Sequence, residues 1–188
     1  MQQQQEQNQA IKRRRGPLLF QLFITLGVLA AVLFIFGQTV LAPQAQSGTA
    51  PSKLGELKLV ESNEGAEAIA RVSQLHQLDI SLINAYIGSY IGGGHEATAW
   101  VGQAENAAAA AELMSDMVDA ISAGSPAFSG LKELDITKGY HTHRIFQVDG
   151  PGGQHFFYIS KLSADKIVWL TVTAGDAMNI LEQALNIF

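Results

Sequence analysis

The chain has 188 residues, 47% hydrophobic and 15% charged, with a net charge of −5 and no cysteine. That length accommodates one ordinary domain and an appendage, and the missing cysteine excludes disulfides, thiolate metal sites, a lipidated N-terminal cysteine and a cysteine nucleophile. Charge is spread unevenly: Lys12, Arg13, Arg14 and Arg15 stand against Glu6 in the first 36 residues, and nothing from Gly16 to Ser52 is charged. The remainder is acidic, which argues against nucleic acid as a partner, because phosphate binding needs a basic surface.

In chain order, the Gln-rich start MQQQQEQNQ is polar and low in complexity, so residues 1–15 read as a disordered basic tail on the cytoplasmic side. Pro17 to Phe36 follows, with Gln21 and Thr25 its only polar side chains. As a helix it would span about 30 Å, the thickness of a bilayer's hydrocarbon core. Only a helix satisfies every backbone group there without a partner strand. A single transmembrane helix over 16–37 is therefore expected. Lys12, Arg13, Arg14 and Arg15 would hold the N-terminus in the cytoplasm and place the rest outside the cell membrane. The alternative is a cleaved signal sequence, with small residues at Ala45-Gln46-Ser47 and Val40-Leu41-Ala42. Pro43 obstructs the second site, and the apolar run exceeds the roughly 7–15 residues of a signal core.

Arg15-Gly16 ahead of an apolar helix also resembles the processing site of a type IV prepilin leader. Gln21 takes the fifth position after that site, where the family has Glu, and Pro17 the first, where a large apolar residue is usual. The resemblance implies a subunit of an envelope assembly, such as a pilin-like filament.

Residues 38–56, with Pro43, Ser47, Gly48 and Pro51, read as a flexible linker. An extracytoplasmic α+β domain is expected over 57–188. Its first helix, Glu64 to Gln77, takes Asn63 as N-cap. Two strands follow, Ile80 to Ile91 and Glu96 to Gln103, joined at Gly92-Gly93-Gly94. A second helix, Asn106 to Ala123, carries an apolar stripe of Leu113, Met114, Met117, Val118 and Ile121 and ends at Gly124. Beyond a loop through Phe128 come three strands, Tyr140 to Val148, Gln154 to Lys161 and Ile167 to Ala174. Asp176 to Phe188 forms the last helix. This order predicts a two-layer sandwich, a mainly antiparallel sheet of about five strands with helices packed on one face.

Chemistry-bearing motifs are sparse. No serine sits in a GxSxG elbow, and the glycine-rich runs lie between strands without the lysine of a phosphate loop. No catalytic residue and no cofactor is therefore assigned. Of the five histidines, His141 and His143 stand two apart on one strand face, about 7 Å from each other. They are weak candidates for a metal site, with His155 as the third ligand. A turn that sets Val148 opposite Gln154 would put His155 about 13 Å from His143, too far for one ion. Solvent-facing imidazoles are expected instead. The aromatic residues offer more. Trp169 is out of phase with Val168, Leu170 and Val172, so it should lie on the sheet face away from the helices. Trp169, Phe157, Trp100 and Tyr90 are the candidate interaction residues on an apolar face, unless the first helix or the linker covers it. The sequence thus suggests a membrane-anchored, non-enzymatic protein-interaction or sensing module, with a protein partner or self-association and no nucleic acid.

Overall fold

A computed structural model describes residues 48–76 and 80–188. The basic tail, the apolar run over 16–37 and the first part of the linker lie outside the described residues. Among those described, no helix is long and apolar enough to cross a membrane, so the described fold contains no transmembrane helix.

The strands are β1 (Lys53–Leu54), β2 (Leu57–Glu64), β3 (Asn84–Gly92), β4 (His95–Gln103), β5 (Ser129–Lys138), β6 (His141–Gly150), β7 (Gly153–Ile159) and β8 (Lys166–Ala174). The helices are α1 (Ala66–His76), α2 (Ala107–Ser122) and α3 (Ala177–Ala184). All eight strands join one sheet in the order β1-β2-β3-β4-β8-β7-β6-β5, every neighbouring pair antiparallel. The two-layer expectation of about five strands with helices on one face is therefore corrected. The domain is mostly one eight-stranded sheet, and its helices lie on both faces.

The longer unforeseen strands, β2 and β5, share a physical cause. Each carries an irregularity in its ladder, between Leu59 and Glu61 in β2 and between Ser129 and Lys132 in β5. A bulge adds a residue and breaks the two-residue alternation by which a strand is recognised. Val60, at the β2 bulge, is turned out and 58% exposed. Asn63 consequently belongs to β2 and does not cap α1; the chain turns at Gly65, φ +62°, before the helix begins. The folded domain also reaches back beyond residue 57, since Leu54 is wholly buried and the Ala50 N–H donates to Glu64 Oε1 at 2.9 Å.

Alternation along the strands gives the sheet two apolar faces. On one, Val168, Leu170 and Val172 of β8 join Ala97, Ala99 and Val101 of β4 beneath α3. The Asp176 side chain caps this helix, accepting from the Met178 and Asn179 N–H groups. Ile180, Leu181, Ala184 and Leu185 are buried, and each large one contributes about 1.5–3 kcal/mol. On the other face, α1 covers Ala85, Ile87 and Trp100, and α2 covers Phe146, Val148, Phe157 and Ile167. Asn106 caps α2, its Oδ1 accepting from the Ala109 N–H at 2.9 Å.

Both ends of the strand order reach α3. Leu54 of β1 and Leu134 and Ile136 of β5 pack into the α3 cluster, and Lys138 of β5 pairs with Glu182 at 2.6 Å. Laid flat, the spacings between the outermost of these strands would total over 30 Å, against a helix only about 10–12 Å wide. The sheet is therefore curled around α3, which sits on its concave face.

Candidate functional site

The strand register builds a site on that concave face, at the end beyond α3. One row across the strands runs Tyr86, Val101, Val168, Tyr158, Ile145. The next row outward begins Asn84, Gln103, Lys166, and the Ser160 N–H donates to the Lys166 carbonyl. Carrying the β6–β7 register two residues past Ile145 and Tyr158 brings His143 level with Ser160. An apolar row flanked by two phenols thus lies beside a polar row.

A cavity of about 230 Å³ opens between them. Val101, Val168, Ile187 and Phe188 form its apolar walls, and Tyr86, Ser160 and Lys166 bring polar groups. Leu162, 65% exposed, forms a lip in the β7–β8 turn. Ser160 is buried, and its Oγ accepts from the Leu162 and Ser163 N–H groups, which leaves the hydroxyl proton free to donate. Nearby, Asp165 accepts from Ser163 and from Gln103, contacts that hold its carboxyl below the usual range.

Several buried polar atoms without a hydrogen-bond partner among the described residues lie on the same concave face. They include Asn84 Oδ1, Tyr90 Oη, Tyr158 Oη and His143 Nδ1, all on concave-face side chains. Such groups cost about 1–3 kcal/mol each and are normally satisfied. Burial raises the tyrosines: Tyr90 is pushed up to about 12, with Glu64 adding to the shift, and Tyr86 and Tyr158 are raised further by burial and by their phenolic neighbours. All three remain protonated, so their hydroxyls can donate.

Of the interaction residues expected from sequence, Tyr90 and Phe157 are wholly buried, and on opposite faces, so neither offers a contact surface. Trp100 is half-covered by the α1 cluster. Trp169 does lie on the face away from α3, but that face carries helices. Its ring stacks on Phe157 at 5.1 Å and 10°, Phe128 meets it edge-on at 5.2 Å, and its Nε1 donates to Thr171 Oγ1 at 3.2 Å. The open aromatic face is thus corrected to a largely packed one.

The histidines also depart from expectation. Val148 pairs with His155, not with Gln154, a register one residue from the one assumed. His155 therefore faces α2 while His143 faces α3, and one ion cannot join them. Among the described residues no three histidines or carboxylates are placed to hold a metal. Nor are both imidazoles solvent-facing: His143 and His155 are each 4% exposed, and of these three histidines His141 alone lies open. His155 Nδ1 shares a hydrogen bond of 3.0 Å with Thr171 Oγ1. Sequence reasoning missed Tyr86, Ser160 and Lys166. The one signal available was the alternation Asn84, Tyr86, Tyr90, which places three polar-tipped side chains on one strand face.

Trp169→Ala should cost about 2–4 kcal/mol in urea unfolding, because it removes a half-buried stacked ring; a loss below 0.5 kcal/mol would show the indole to be an exposed contact group. Burial, first, lowers the His143 pKa, with Lys161, His141 and Lys138 adding to it. Burial also lowers His155, against the opposing pull of the Gly150 and Pro151 backbone and the Asp149 carboxylate. Unfolded histidines take up protons near pH 6.5 while these resist, so the unfolded state gains as pH falls. Stability should be full above about pH 6.5 and decline below it, by at most about 1.4 kcal/mol per pH unit for each histidine. Urea midpoints from pH 7.5 to 5, compared with those of His143→Gln, measure this; a constant midpoint in the parent chain would mean that both rings protonate freely.

The chain matches no family model, no curated protein and no solved structure.

Proposed function

We propose that the domain is a non-catalytic sensing module, tethered at the cell membrane, that binds a small molecule in the concave-face cavity. The observation that carries this is a cavity in which Tyr86, Ser160, Ser163 and Lys166 face Val101, Val168, Ile187 and Phe188, on the same sheet face as four buried polar atoms without a partner among the described residues. Ligand sites combine mostly apolar walls with a few placed polar groups. The phenols stay protonated, which suits recognition by hydrogen bonding better than proton abstraction at neutral pH. Support for the tether comes from the sequence, in the uncharged apolar run after Lys12, Arg13, Arg14 and Arg15. The charged outer strand β5, with Lys132, Glu133, Asp135 and Lys138, disfavours filament growth by strand pairing.

Two measurements test this. A small-molecule extract containing the ligand at about 100 times its dissociation constant stabilises the chain by about 2.7 kcal/mol, roughly 5–10 °C in melting temperature. The bound compound should be recovered chemically unchanged; conversion to a product would make the domain an enzyme. If no fraction shifts the transition, the sensing role is lost. Separately, protease added outside intact spheroplasts should digest the domain beyond residue 48 while sparing the N-terminal tail, and protection of the domain would place it on the other side of the membrane.

A further inference from the structure

The polar groups lining the cavity are almost all donors. Lys166 supplies an ammonium, and among the described residues it has no carboxylate within ion-pairing distance. Ser160 has a free hydroxyl proton because its oxygen already accepts two backbone N–H groups. Tyr86 adds a phenol that burial keeps protonated. The acid closest in sequence, Asp165, is hydrogen-bonded to Ser163 and Gln103 and feels the Lys166 charge without forming an ion pair with it, and Glu182 is engaged with Lys138. A donor set of this kind, with one cation and two hydroxyl protons, fits an acceptor-rich anion. The walls then specify the remainder of the ligand. An engineered apolar cavity of about 150 Å³ takes a benzene ring, so about 230 Å³ has room for a ring or short alkyl chain with a charged head.

We propose that the cavity binds a small monocarboxylate, its carboxylate against Lys166, Ser160 and Tyr86 and its apolar body against Val101, Val168 and Phe188. This rests on the sensing role proposed above and names the ligand class for the same site. A planar carboxylate takes two or more donors at once, while a single-ring body fills the volume between the valines and Phe188. The open lip at Leu162 gives an entry route from solvent, so binding does not require α3 to leave the sheet.

The test uses the intact 188-residue chain and a matched pair of probes, 4-fluorobenzoate and the neutral 4-fluorobenzamide, followed by fluorine NMR line broadening. The carboxylate should bind at least about tenfold tighter than the amide, since charge-assisted bonds are roughly twice as strong as neutral ones. Lys166→Met should erase that preference while leaving amide binding within about twofold. Tyr86→Phe should weaken the carboxylate several-fold and keep the preference, so a misfolded lysine variant would not leave the question open. Equal affinity for both probes in the parent chain overturns the carboxylate assignment while the sensing role stands. A preference that survives Lys166→Met places the anion elsewhere and also overturns it. If neither probe broadens, the monocarboxylate assignment fails, and the extract melting measurement decides the sensing role independently.

Discussion

An eight-residue helix held against the concave face of an eight-stranded sheet sets the geometry of this domain. The strands must curl for both ends of the sheet to reach α3, and the small side chains of Ala97 and Ala99 beneath it allow the close approach. The same arrangement creates the cavity. Eight residues of helix are about 12 Å long, whereas a ten-residue strand runs about 33 Å, so α3 covers only part of the face it packs on. Beyond it the chain lays Ile187 and Phe188 over the gap, and the space between them and the sheet is the cavity. A longer helix would have filled it.

The unpartnered groups on the concave face matter because stability is small. A domain of this size holds about 5–15 kcal/mol in total, and four unsatisfied buried groups at about 1–3 kcal/mol each take a large share of that. Proteins keep such conflicts where function uses them, and elsewhere each local choice tends to agree with the fold. On the other face His155 Nε2 is the single such atom among the described residues, and the remaining local choices agree with the fold: Asn106 and Asp176 cap their helices, and the salt bridge of Arg144 with Glu133 lies on the surface. Four of the five unpartnered atoms are thus on one face.

Several individual elements were legible in the sequence, but the architecture they assemble into was not, and the misses have a definite cause. α2 is read to within a residue or so at each end, because Asn106 caps it and Gly124 follows it. The hairpins at Gly93-Gly94 and at Pro151-Gly152 follow from their turn residues. β2 and β5 escaped because bulges disrupt their alternation, and losing them removed the strands that curl the sheet. The shift of one residue between Val148 and His155 moved an imidazole to the opposite face, which is what a period of two dictates. The cavity was least legible of all. Its polar row joins Asn84, Gln103, Lys166 and Ser160 across three strand neighbours, and no local pattern announces which residues will stand side by side.

The order of strands has a further consequence, for the speed of folding. β3–β4, β5–β6, β6–β7 and β7–β8 are all connected by short turns and can form as soon as their own residues are available. The two halves of the sheet join only where β4 meets β8, along a seam that pairs Trp100 with Trp169 and Val101 with Val168. At its end Gln103 reaches Asp165, 62 residues away. Closing a loop of that length costs about 4 kcal/mol in chain entropy before any core contact offsets it. The concave core draws on residues from both sides of the seam, so neither half has a finished interior until it closes. Folding should therefore wait on one long-range event, and the two halves should gain their stability together, as a single cooperative unit.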